Sequence, residues 1–375
     1  GRIMILKNCT FINEEFEKEF GDIKIENGKI AEIGIFDAEN DEVRDMTDCI
    51  ILPGFIDIHI HGGAGADFSD GTTDSIDAIS TYLAKHGVTS FCGTTMTLSH
   101  EKLKEIVKSA SGYTAPKSKL VGINLEGPYI AEAKAGAQNR EFIRPASTKE
   151  VDELLSINDK IKLITIAPEA SDTKDFITNE KRNLTISVGH SSANAQQTKE
   201  AIASGIAHAT HLYNAMTPMT HREAGIVGTV LDSDITAELI CDGEHICPAV
   251  LRNTFKILGE DRACVISDSM RGAGLGIGEY ELGGQMTYVK DGYKVAKLED
   301  GTIAASISNV FDEFKNLLEF GIDFKTALKS CTINPAKVIK EDKNIGSIAV
   351  GKCADLIVTD ENFSIKEVYI NGTLA

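Results

Sequence analysis

Pro53-Gly54-Phe55-Ile56-Asp57-Ile58-His59-Ile60-His61-Gly62-Gly63 reads as a short apolar strand that ends in two histidines and a pair of glycines. Side chains alternate along a strand, so His59 and His61 point to the same side. An H-x-H pair on its own specifies little, and its meaning comes from what surrounds it. Seven more apolar, β-branched runs follow, at 88–95, 120–125, 162–167, 184–188, 207–212, 237–241 and 263–267. Helical patterns lie between them. Ser99 caps one whose Leu103, Ile106, Val107 and Ala110 share a face, and Gly112 stops it. Ser147 and Glu150 make a capping-box pattern ahead of Val151, Leu154 and Leu155. The stretches 250–258 and 310–320 end at Gly259 and Gly321. Eight strand–helix units predict parallel strands joined by right-handed crossovers, and eight is the number that closes a (β/α)8 TIM-like barrel. A doubly wound open sheet is the competing arrangement.

The barrel is expected over 53–344. The segment 279–305, with Asp291-Gly292 and Asp300-Gly301, breaks the alternation and reads as a β-insertion. Upstream, apolar runs at 3–11 and 23–33 hold the hairpin dipeptide Asn27-Gly28, and 354–359 and 368–371 echo them near the C-terminus. Residues 1–52 together with 345–375 therefore predict a small β-sandwich domain built from both termini.

Composition narrows the function. The chain has 375 residues, 42% hydrophobic and 25% charged, which suits a soluble globular protein. No apolar stretch approaches the roughly 20 residues that span a bilayer. Gly1-Arg2-Ile3-Met4 shows no secretory pattern, so a cytoplasmic location is expected. A net charge of −18 argues against nucleic-acid and anionic-membrane partners. It also means that an anionic substrate needs a locally basic pocket. The eight cysteines contain no C-x-x-C pair and read as reduced core residues.

In such a barrel the active site lies at the C-terminal ends of the strands. The third run ends in Glu126-Gly127-Pro128, the fifth in Gly189-His190-Ser191, the sixth in His211 and the eighth in Asp268. With His59 and His61, six residues of metal-ligating type stand at the mouth. Imidazole and carboxylate hold a divalent ion that acidifies water and polarises a carbonyl. Asp268, alone at the last strand end, suits a general base that becomes the acid. Its alternative role is a ligand, or a hydrogen-bond partner of His59 or His61.

These motifs, with His211-Leu212-Tyr213-Asn214-Ala215-Met216, Ser267-Asp268-Ser269-Met270 and Gly351-Lys352-Cys353-Ala354-Asp355-Leu356, resemble the N-acetylglucosamine-6-phosphate deacetylase family of the amidohydrolase superfamily over nearly the whole chain. H-x-H and G-K-x-A-D-L occur across the superfamily; E-G-P and H-L-Y-N-A-M are closer to this one family. The resemblance implies a principal ion, zinc or iron, on Glu126, His190 and His211. It implies a second ion on His59 and His61, bridged by Glu126, so one or two ions per chain. It implies Asp268 as the acid/base. It implies a phosphosugar substrate held at Asn214, Ala215 and His245, with Arg222 reaching the phosphate of the neighbouring subunit in a homodimer. Gln138 stands where many members carry a histidine that polarises the acetyl carbonyl, and it can donate a hydrogen bond but carry no proton. Arg271 puts another cation near the mouth.

Three rivals are weighed. The same reaction on the 4-epimer, N-acetylgalactosamine 6-phosphate, turns on one hydroxyl contact. A cyclic-amide hydrolase needs a modified lysine where this chain has Ala167-Pro168-Glu169. A non-catalytic amidohydrolase-like binding protein predicts erosion of the ligand set, and all six positions are intact.

Overall fold

A computed structural model of the chain describes residues 2–37 and 41–375. Eight parallel strands pair in strict chain order: Phe55–Ile60, Val88–Thr95, Lys119–Glu126, Ile161–Ile166, Thr185–Val188, His208–Ala209, Thr236–Ile240 and Ala263–Ile266. That order excludes the doubly wound sheet, whose strand sequence reverses at a switch point. No ladder joins the first strand to the eighth. Side-chain and end-on bonds close the seam instead. The Asp268 N–H donates to the His59 carbonyl at 2.9 Å, and Ser267 Oγ donates to Asp57 Oδ2 at 2.5 Å.

The barrel floor is apolar. Ile56, Ile58, Cys92, Leu163, Ile240, Cys264 and Ile266 form a plug that Ala336, Val338 and Ile339 cover. A larger cluster fills the space between strands and helices, with Phe55, Phe311 and Phe314 among its members. Dry floor and dry flanks leave the strand C-termini as the place where polar side chains gather.

Local signals are mostly realised. Ser99 Oγ accepts the Lys102 N–H at 3.1 Å and starts His100–Ala110. Ser147 Oγ accepts the Glu150 N–H at 3.1 Å, but only half of the expected capping box forms. The Glu150 carboxylate turns instead to Arg144 Nε at 3.0 Å and the Tyr129 hydroxyl at 2.9 Å. A charged partner gives a stronger bond than a backbone amide does.

Strands from both ends of the chain share one eight-stranded sheet, in which Ile50–Pro53 pairs with both Ile3–Ile12 and Leu356–Thr359. Asn27 and Gly28 both take positive φ (54° and 75°), as a tight hairpin turn requires. This sheet has its own core, including Leu6, Phe11, Ile23, Ile51, Leu356 and Tyr369. The insertion is a four-stranded antiparallel sheet from Gly278–Leu282 to Ile303–Ser306. Its Leu282, Val289 and Ala305 pack on Met96, Ala137 and Met270 beside the barrel mouth. Arg271 fastens it there, bonding Glu281 at 3.1 Å and Asp70 at 2.9 Å, so this cation has a structural partner on each side. Seven cysteines are buried or half-buried as expected, whereas Cys247 is exposed. Among the described residues no helix is long and apolar enough to cross a membrane.

Candidate metal centre

The six mouth residues converge. Glu126 Oε2 lies 3.2 Å from His59 Nε2, 3.4 Å from His190 Nε2 and 3.2 Å from His211 Nε2. Glu126 Oε1 lies 3.0 Å from His61 Nε2. Asp268 Oδ1 lies 3.1 Å from His59 Nε2 and 3.3 Å from His61 Nε2. Two groups with ligand spacing result, His59–His61–Glu126–Asp268 and Glu126–His190–His211, and Glu126 belongs to both.

A cation fits this donor set. Glu126 Oε2 and His59 Nε2 are buried, and neither has a hydrogen-bond partner of good geometry. Such atoms are costly to leave unpaired, and an ion between them relieves the cost. The electrostatics point the same way. Although burial favours neutral groups, the charge on His59 and the bonds from His190 and His211 hold Glu126 well below the usual carboxylate range. Burial likewise favours a neutral His61, yet Asp268 and Glu126 push it up to about 10. Two carboxylates among four imidazoles demand positive charge, and a divalent ion supplies it while the rings stay neutral.

The backbone is bent to present these groups. His190, His211 and Asp268 all take positive φ, at 45°, 25° and 48°. Non-glycine residues there cost about 1–3 kcal/mol each and persist where surroundings over-determine them. This also explains the sixth strand, which ends at Ala209 rather than at 212. Behind the ligands, His61 Nδ1 meets Thr94 O at 3.1 Å and His190 Nδ1 meets Lys134 O at 2.7 Å.

A cavity of about 440 Å³ opens beside the cluster, and His190, His211, Asn214, Ala215, His245 and Asp268 are among the residues lining it. His245 is braced by Asp242, Nδ1 to Oδ2 at 2.7 Å, which leaves Nε2 unengaged by that carboxylate. The Asn214 N–H is already engaged by His211 O at 3.0 Å, contrary to its expected role toward an anion. The Ala215 N–H makes no such bond.

Two expected substrate residues lie outside this cavity, as Arg222, expected to serve the neighbouring subunit, must. Gln138 is 3% exposed and does not line the cavity. Its Nε2 donates to Glu126 Oε1 at 2.7 Å and its Oε1 accepts the Thr97 N–H at 2.7 Å, so it braces the Glu126 carboxylate. Arg222 is exposed and lies outside the cavity of its own chain. Residues without a strong sequence signal contribute as well. Thr302, Ile303 and Ala304 of the insertion and Lys134 line the cavity. Glu238 lies behind His59 at 2.8 Å, and a lone carboxylate in the apolar run 237–241 was the available sign of it.

The model of the amidohydrolase family matches residues 50–375. The chain belongs to the amidohydrolase family. Within it, this amidohydrolase is 34% identical to an N-acetylglucosamine-6-phosphate deacetylase of Bacillus subtilis (strain 168), covering 99% of this chain and 97% of that one. It is 31% identical to an N-acetylgalactosamine-6-phosphate deacetylase of Escherichia coli O157:H7, covering 99% of each. The crystal structure of N-acetylglucosamine-6-phosphate deacetylase from Pasteurella multocida superposes with a TM-score of 0.93 at 30% identity, over 100% of this amidohydrolase and 99% of that chain.

Proposed function

We propose that this amidohydrolase cleaves the acetamide of N-acetyl-D-glucosamine 6-phosphate, giving D-glucosamine 6-phosphate and acetate. One observation carries the reading. Asp268 lines the substrate-sized cavity while its Oδ1 stays within 3.3 Å of both His59 Nε2 and His61 Nε2. A carboxylate that faces ligands on one side and substrate space on the other is placed to move protons during amide cleavage. Relatives named as N-acetylglucosamine-6-phosphate deacetylases support the substrate.

Glu126, His190 and His211 would hold one ion, and His59, His61 and Asp268 a second that shares Glu126. Imidazole and carboxylate donors suit zinc or ferrous iron. A divalent ion there supplies Lewis acidity toward water and the acetamide carbonyl. Asp268 takes the proton of the attacking water. Burial raises its pKa, but positive charge beside it, on His59 or on an ion in its place, and the bonds from His59 and His61 lower it, so it starts ionised. It then returns that proton to the nitrogen as the C–N bond breaks, and the amine leaves neutral.

His245 Nε2 and the Ala215 N–H receive the phosphate within the chain. Arg222, exposed and outside its own cavity, reaches the neighbouring subunit's phosphate in a homodimer, where paired donors suit that anion. Eight unpaired cysteines suit a reducing compartment such as the cytoplasm. The galactosamine epimer is the second reading, favoured by the Escherichia coli relative.

Amine release from both epimers by metal-loaded protein tests this, beside Asp268→Asn with its metal content checked. Wild type releases amine from the glucosamine epimer, and the variant is slower by on the order of 10²–10⁴-fold. Metal-loaded wild type that leaves both epimers intact sinks the reading.

A further inference from the structure

The seventh barrel strand carries a charge that neither the ligand set nor the substrate cavity uses. Glu238 lies within Thr236–Ile240 and is 1% exposed. Its Oε1 meets His59 Nδ1 at 2.8 Å and accepts the His211 N–H at 3.2 Å. Its Oε2 meets His208 Nε2 at 2.9 Å, and His208 Nδ1 meets Thr236 Oγ1 at 2.6 Å. The Glu238 carbonyl accepts the Leu212 N–H at 2.8 Å. One side chain thus touches a ring from one ligand group and the backbone of a ligand in the other.

An ionised carboxylate only accepts hydrogen bonds. His59 must therefore carry a proton on Nδ1, which leaves Nε2, facing Glu126 Oε2 and Asp268 Oδ1, as the nitrogen that would ligate an ion. That Nε2 is also one of the buried atoms without a hydrogen-bond partner. The other ligand rings are held differently. His61 and His190 rest on the neutral carbonyls of Thr94 and Lys134, and His211 Nδ1 has no partner. A carboxylate behind a ligand imidazole raises the basicity of the ring as well as orienting it.

We infer that Glu238 is a positioning residue that fixes the His59 tautomer and so retains the second ion, the one shared by His59, His61, Glu126 and Asp268. Without Glu238 the second ion is held more weakly while the first is unaffected. The inference rests on the two-ion arrangement proposed above and is independent of the substrate. The bland alternative is that Glu238 and His208 form a buried structural pair with no bearing on the metal.

The test is a Zn²⁺ titration by chelator competition, with ions per chain counted after dialysis, on wild type, Glu238→Met and Glu238→Gln. Methionine matches the length and removes the acceptor, whereas glutamine can keep a neutral acceptor toward His59. Wild type holds two ions. In Glu238→Met the weaker ion loses roughly 10–100-fold in affinity while the tighter one is unchanged. Glu238→Gln recovers most of that loss. Three results overturn the inference: a wild type with one ion, a methionine variant with both affinities intact, or one that loses both ions equally. Should Glu238→Met fail to fold, ¹⁵N-histidine NMR of the metal-loaded wild type decides. A proton on His59 Nδ1 supports the inference and its absence there overturns it. Wild type that binds two ions yet releases no amine counts against the substrate reading alone.

Discussion

Replacing Gln138 with leucine separates two accounts of that side chain. Leucine roughly preserves the volume and removes both hydrogen bonds, to Thr97 N and to Glu126 Oε1, each 2.7 Å long. Thr97 is fully buried, so its N–H is left without an acceptor at a cost of about 1–3 kcal/mol. The bond to the Glu126 carboxylate contributes about 1.5–3 kcal/mol. The two terms act on different observables. The Thr97 term acts on the fold, and at about 2 °C per kcal/mol for a large domain it lowers Tm by roughly 2–6 °C. The Glu126 term acts on the carboxylate common to both ion positions, so metal affinity falls roughly 10–100-fold. Thermal unfolding with excess metal and with chelator reads the first, and chelator competition reads the second. If Gln138 instead touched the acetyl oxygen, kcat would fall while metal affinity stayed put. A leucine variant with wild-type metal affinity and wild-type Tm refutes the brace.

Metal binding should release protons at pH 7. Burial favours neutral rings, but carboxylates push His61 to about 10 and raise His211 as well. Rings protonated at pH 7 must lose that proton to ligate, so affinity rises from pH 6 to pH 9. Calorimetry in buffers of different ionisation enthalpy checks this, and a pH-independent affinity contradicts it. Arg222→Ala should raise KM for the phosphorylated substrate at unchanged metal content, and mixed dimers with an Asp268→Asn partner should recover part of that loss. A KM equal to wild type removes Arg222 from the phosphate site. Gly62→Ala would put a Cβ 2.0 Å from the Ala66 carbonyl oxygen, which is backbone and has little room to move. We expect a loss of about 1–3 kcal/mol in urea unfolding, with weaker metal retention through His61. An unchanged midpoint shows that this hairpin yields freely.

Much of this protein is legible in one dimension because its signals are local and periodic. Apolar runs, caps and glycine stops announce strand–helix units, and their number announces closure. The ligand types at strand ends follow from the same count: a barrel gathers those ends at one mouth, so His59, His61, Glu126, His190, His211 and Asp268 can be named before they are seen together. What escaped is the direction in which each polar group bonds, since that depends on neighbours distant in sequence. Glu238 lies 179 residues from the His59 it supports. Gln138 turned inward because buried Glu126 and the Thr97 amide both lacked partners there. Glu150 left its capping box for Arg144 and Tyr129, and Asn214 gave its N–H to His211. In each case a buried polar group is satisfied by whichever partner the packed barrel brings within about 3 Å. Sequence by itself determined the barrel and the list of candidate ligands, through periodicity. Only the tertiary structure decided which groups stand behind those ligands, because hydrogen-bond satisfaction in a dry interior depends on every strand being in place.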